Sequence, residues 1–84
     1  MAHLYILRSI TTGKFYVGAT VDLARRLGEH GRGHSPFTRG RGPWELVDEQ
    51  EYPDLAGARW REREIKSWKS HGRIAELVRR AGLR

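Results

Sequence analysis

KFYVGATVDLARRLGEH, residues 14–30, decides the fold. Residues 15–20, FYVGAT, carry the aromatic and β-branched residues of a strand. Asp22 then stands as the N-cap or first-turn acid of a helix running to about His30. That helix holds an anomaly. Leu23 and Leu27 mark its buried face, and Arg26 and His30 fall on the same face at helical spacing. A chain of 84 residues buries only about 60–65 % of its unfolded surface. Polar groups aimed at its own sheet are therefore costly and need a reason.

Outward from this stretch, residues 3–9, HLYILRS, alternate loosely in polarity and read as a strand. ITTGK supplies the turn between the two strands, with Gly13 free to take a positive φ. Residues 31–43, GRGHSPFTRGRGP, are broken by glycines and prolines and form a basic loop. WELVDEQEY, residues 44–52, is a third strand with Trp44, Leu46 and Val47 as its apolar positions. Pro53-Asp54 opens a helix to about Lys69, and residues 73–81 make a closing helix with Ile74, Leu77 and Val78 inward. The order β-β-α-β-α-α predicts one α+β domain over 1–84, a three-stranded antiparallel sheet flanked by helices.

Composition narrows the class. The absence of cysteine removes disulfide frameworks and thiolate zinc sites and fits a reducing, cytoplasmic setting. No apolar run reaches the length of a membrane span, and MAHLYILRS lacks the layout of a signal peptide. A net charge of +6 favours a polyanionic partner, nucleic acid first.

The longer helix repeats the anomaly of the first. Leu55, Ala58, Ile65 and Trp68 set its buried stripe, and Glu62 falls within it, whereas Glu64 points nearly opposite Leu55. The plain alternative for Glu62 is a stripe-edge carboxylate that reaches solvent or pairs with an arginine. Arg26 has one too, a stem lying over apolar surface with its head in water, and His30 has another, a favourable place near a helix C-terminus. Tyr5 and Tyr16 lie on adjacent strands of the hairpin. An even loop puts them on one face and an odd loop on opposite faces. On the first count Gly18 leaves a gap where a substrate backbone approaches.

Two phenols, a guanidinium, an imidazole and a carboxylate converging on one groove suit phosphodiester hydrolysis. A carboxylate holds one hard divalent cation. An arginine neutralises charge on the non-bridging oxygens. A phenol or imidazole orients or deprotonates water.

These residues resemble the GIY-YIG endonucleases. LYI at 4–6 takes the place of the first signature and YVG at 16–18 is the second. DLARRLGEH at 22–30 is similar to the family's first helix, and AGARWREREIKSW at 56–68 to its metal-bearing helix. The likeness covers residues 3 to 70 and is nearest to the small stand-alone bacterial (YhbQ-like) members. It implies cleavage of DNA with a single Mg²⁺ or Mn²⁺, leaving a 5′-phosphate and a 3′-hydroxyl. It further implies Tyr16 as general base or water-positioner, Tyr5 bonding near the nucleophile, Arg26 on the scissile phosphate, His30 assisting proton transfer and Glu62 on the metal. His3 departs from the glycine of the first signature, Leu4 and Val17 from isoleucines. The sequence has no asparagine, so the late asparagine of the homing and excision-repair branches is missing. Sequence-specific cutting of a long site would need a partner protein.

Lys14, Arg32, Arg39, Arg41, Lys66 and Lys69 are candidate contacts to the nucleic-acid backbone, against the alternative of a solvated surface. The loop over 31–43 is expected to act as a flap, with Phe37 or Trp44 able to stack on a base, though Trp44 also suits the core. Trp60 points away from the buried stripe, and His34 and His71 read as surface. A non-catalytic nucleic-acid-binding module using the same groove is the alternative to the enzyme, and a basic accessory protein a third reading.

Overall fold

The computed structural model describes residues 1–31 and 43–81. Its elements follow the expected order: β1 Ala2–Ser9, β2 Phe15–Thr20, α1 Leu23–Gly31, β3 Trp44–Tyr52, α2 Leu55–Ser67 and α3 His71–Ala81. The strands form one antiparallel sheet in the order β2-β1-β3. β1 is central, and Leu4, Tyr5, Ile6 and Leu7 are all buried. Both of its faces are covered, Leu4 and Ile6 packing with Ile65 of α2 and Tyr5 taking a hydrogen bond from Arg26 of α1, which is why its sequence alternates so loosely.

One face carries the core. Leu4, Ile6 and Val17 pack with Ile65 of α2, and Phe15, Val47, Tyr52, Trp68, Ile74, Leu77 and Val78 surround them. Burying side chains of this size contributes about 1.5–3 kcal/mol each. Ala58 and Ile65 form the buried stripe of α2 with Leu55 and Trp68 half-buried, as their spacing predicts. β3 has a bulge. Ile6 pairs with Asp48 and Leu7 with Leu46, so Val47 is the extra residue and joins the core side. Beside it, Tyr52 Oη donates to Gln50 Oε1 (2.9 Å), Gln50 Nε2 donates to Asp48 Oδ2 (3.2 Å), and Arg61 Nε reaches Gln50 Oε1 (3.4 Å). This chain satisfies the buried Asp48 and ties α2 to β3.

The helix starts follow their caps. Asp22 Oδ1 accepts from the Arg25 amide at 3.1 Å and Asp54 Oδ1 from the Gly57 amide at 2.9 Å. The third helix begins two residues before the expected Arg73, because the Ser70 hydroxyl accepts from the Arg73 amide at 3.2 Å. The second ends at Ser67, and Lys69 follows with φ 49°, the left-handed turn that closes a helix. His71 is exposed as expected, but its Nε2 lies 3.1 Å from the Gly13 carbonyl and its ring packs on Phe15. No helix among the described residues is long and apolar enough to cross a membrane.

Candidate active site

The hairpin settles the question of the tyrosines. Arg8 pairs with Phe15, and the Ser9 amide bonds the Lys14 carbonyl at 2.8 Å. Ile10, Thr11, Thr12 and Gly13 remain as an even-numbered loop, with Gly13 at φ 77°. Tyr5 faces Gly18 and Leu7 faces Tyr16, so the two phenols share a face, their rings 6.2 Å apart and tilted by 33°.

Gly18 does not leave an open gap. A Cβ there would stand 2.5 Å from Tyr5 Oη and 2.6 Å from Cζ, so the phenol of Tyr5 itself lies across the glycine. The missing side chain admits a catalytic candidate, not a substrate backbone. Tyr5 is wholly buried and cannot swing freely. Gly18→Ala is thus expected to destabilise the fold by about 1–3 kcal/mol through overpacking. It should also displace the phenol, lowering the expected phosphodiester hydrolysis more than the stability loss explains. Thermal unfolding with rates measured well below the transition tests this, and an unchanged rate would show that Gly18 does not position Tyr5.

Burial pushes the Tyr5 phenol up from the ordinary 10.0 to about 12, and the hydrogen bond that Arg26 donates to it opposes the rise. Tyr5 is therefore protonated throughout the physiological range. Between pH 10 and 12 the folded protein keeps a proton that the unfolded chain has released, so stability falls as pH rises. The stabilisation at stake is roughly 2–3 kcal/mol, present in full below pH 10 and lost by about pH 12. Urea unfolding across pH 9–12 measures it, and Tyr5→Phe should remove this part of the slope.

Arg26 comes from α1, whose face over Tyr5 brings the guanidinium to the phenol. Its Nη1 also holds Glu29 Oε1 at 2.9 Å. The bond to Tyr5 raises the Arg26 pKa further, so the cation is permanent. Glu62 arrives from α2 and is mostly buried, its Oε2 2.7 Å from Lys66 Nζ. The carboxylate sits at the edge of the apolar stripe and pairs with a lysine.

These side chains meet in one cavity of about 320 Å³ lined by Tyr5, Tyr16, Gly18, Ala19, Arg26, Arg59, Glu62, Arg63 and Lys66. Gly18 and Ala19 point to opposite faces of β2, so the cavity straddles that strand's outer edge, with Arg26 supplied by α1 and Arg59, Glu62, Arg63 and Lys66 by α2. Arg59 and Arg63 escaped the sequence reading. The signal was present: at about 100° per residue, both lie on the solvent flank of Glu62. Of the other expected residues, Lys66 is at the cavity, whereas Lys14 and Lys69 are exposed and do not line it. The His30 side chain, Arg32, Arg39, Arg41 and the expected flap up to residue 42 lie outside the described residues.

A family model described as the GIY-YIG catalytic domain matches residues 1–74. The UPF0213 protein NP_0776A of Natronomonas pharaonis is 39% identical over 66 residues, 77% of this chain and 76% of that protein. The human structure-specific endonuclease subunit SLX1 is 46% identical over 48 residues, 52% of this chain and 18% of that protein. The solution NMR structure of the UPF0213 protein BH0048 from Bacillus halodurans superposes with a TM-score of 0.60 at 32% identity, covering 99% of this chain and 89% of that one. With the tyrosine hairpin, the arginine helix and the glutamate helix in the order that the family model spans, the chain belongs to the GIY-YIG catalytic domain family, a family of nucleases.

Proposed function

We propose that this chain is a metal-dependent endonuclease that hydrolyses phosphodiester bonds in DNA during repair, recombination or other DNA processing. It would select its substrate by structure or weak sequence preference. The observation that carries this reading is the cavity at the β2 edge, where two phenols, a guanidinium and a carboxylate meet beside further basic side chains. Those basic side chains draw in the phosphodiester. Arg26 neutralises the charge that builds on its non-bridging oxygens. Tyr16 positions or deprotonates the attacking water. Tyr5, accepting from Arg26 and still holding its proton, donates a hydrogen bond beside the nucleophile. His30 assists proton transfer.

The donor set suits a hard cation. Glu62 is the one carboxylate among the described residues lining the cavity, and no group of three His, Cys, Asp or Glu converges among the described residues. Mg²⁺ is commonly held by one or two carboxylates, with substrate phosphates and waters completing its shell. Glu62 would hold a single Mg²⁺ or Mn²⁺, which when bound polarises the phosphate and stabilises the leaving oxygen.

Labelled single-stranded, duplex, flap and four-way-junction DNA, each with Mg²⁺, Mn²⁺ or EDTA, tests the reading. The human relative's name, a structure-specific endonuclease subunit, motivates the flap and junction arms and the idea of a partner protein that supplies specificity. Cutting with metal and none in EDTA is the expected result. Binding without cutting under every condition would favour the non-catalytic module.

A further inference from the structure

Elsewhere in the described chain arginines are held by a carboxylate, as Arg8 is by Glu45 and Arg61 by Glu64, or by a ring, as Arg73 is by Trp68. Arg59 and Arg63 have neither among the described residues. They stand one turn apart on α2, at the spacing where like charges repel, and both line the cavity. Two unneutralised cations kept side by side at a cavity mouth imply an anion that arrives from outside.

Beside them is an unexplained aromatic. Trp60 is 63% exposed, although a large indole is usually covered. Going round α2 from Glu62 at about 100° per residue, Arg59 and Lys66 come first, then Arg63, then Trp60. Carboxylate, cations and indole therefore form one continuous helix face running out of the cavity. Trp60 and Arg63, three residues apart, are surface neighbours.

We propose that this face is a platform for an unpaired nucleic-acid strand, with Arg59 and Arg63 on backbone phosphates and Trp60 stacked on a base beyond the cleavage site. The strand must be unpaired at Trp60. A duplex shows only base edges in its grooves, whereas an indole stacks on the face of a free base, whatever its identity. The placement relative to a cut rests on the nuclease reading above, but the platform itself does not need catalysis.

Fluorescence anisotropy in EDTA isolates binding from cleavage. The probes are labelled single-stranded DNA and RNA and a DNA duplex of equal length, with wild type, Trp60→Ala, Trp60→Phe and the Arg59→Ala/Arg63→Ala double variant. Trp60→Ala should weaken single-strand binding roughly 5- to 100-fold, leave duplex binding within about twofold and be largely rescued by Trp60→Phe. The double variant should lower the salt slope on single strands by about 1.4. Loss on one sugar alone, with duplex binding kept, supports the platform and identifies DNA or RNA as its occupant. Unchanged single-strand binding in Trp60→Ala, or equal losses on single and double strands, overturns the platform and would make Trp60 a contact of another kind. A wild type that binds no strand overturns it as well. Metal-dependent cutting by wild type alongside an inert Trp60→Ala removes the platform and leaves the nuclease. A Trp60 effect in a protein that never cuts does the reverse.

Discussion

Glu62→Gln is expected to lower DNA cleavage at least about 1,000-fold in Mg²⁺ or Mn²⁺ while leaving the fold intact. The size follows from its position. Glu62 supplies the one acidic side chain among the described residues that line the cavity, and a bound cation contributes several kcal/mol of transition-state stabilisation in phosphoryl chemistry. The carboxamide keeps the shape and loses the charge. What the fold loses is small. The pair with Lys66 is an i,i+4 contact whose lysine is 54% exposed, worth about 0.3–0.5 kcal/mol. DNA binding measured in EDTA should hold or tighten slightly, since the change removes a negative charge and releases Lys66 to the phosphates. Cleavage, anisotropy and thermal unfolding on one preparation separate the possibilities. Wild-type rates in Glu62→Gln would remove the carboxylate from the chemistry, and gross unfolding would make it a structural partner.

How much of this site was legible depends on what each residue needs in order to show itself. Strand and helix order could be read because β3 is one unbroken run and Asp22 and Asp54 announce their helices by short-range caps. Ser70 offers the same kind of cap between Lys69 and His71, but no apolar residue beside it marks a helix start. The bulge at Val47 depends on cross-strand register, and nothing local in WELVDEQEY marks it. Tyr5 and Tyr16 were left to the parity of a loop, a count that the Ser9–Lys14 pairing decides. Gly18 was read correctly as space but assigned to the wrong occupant, because the phenol that fills it is thirteen positions away in sequence and directly opposite in the sheet. Glu62 betrayed itself by breaking an apolar stripe. Arg59 and Arg63 break no pattern, since charge on a helix's outer flank is ordinary, and only their helical angle to Glu62 marks them. Their lack of partners is a property of the folded surface alone.

Arg26→Ala is expected to reduce the cleavage rate roughly 100- to 1,000-fold, the usual consequence of removing one preorganised donor to developing charge. Ground-state DNA binding should weaken far less, by about one phosphate contact. This variant also carries a structural cost that Glu62→Gln does not. Arg26 donates to the buried phenol of Tyr5, and removing that donor should destabilise the fold by about 1–3 kcal/mol. Arg26→Lys therefore belongs beside it, restoring the charge without the planar fork. If the fork matters, lysine recovers binding and some stability but little of the rate. Arg25→Ala is the matched control. Arg25 is 65% exposed, its contacts to Asp22 and Glu29 are long at 4.0 and 3.9 Å, and it does not line the cavity. Its loss should change stability by no more than about 0.5 kcal/mol and the rate very little. The decisive quantity is the split between single-turnover rate and dissociation constant across the three variants. A rate loss confined to Arg26 makes its guanidinium part of the transition state. Equal losses in rate and binding would reduce it to a grip on the backbone, and equal losses in Arg25→Ala would reduce both arginines to the general field of a basic helix.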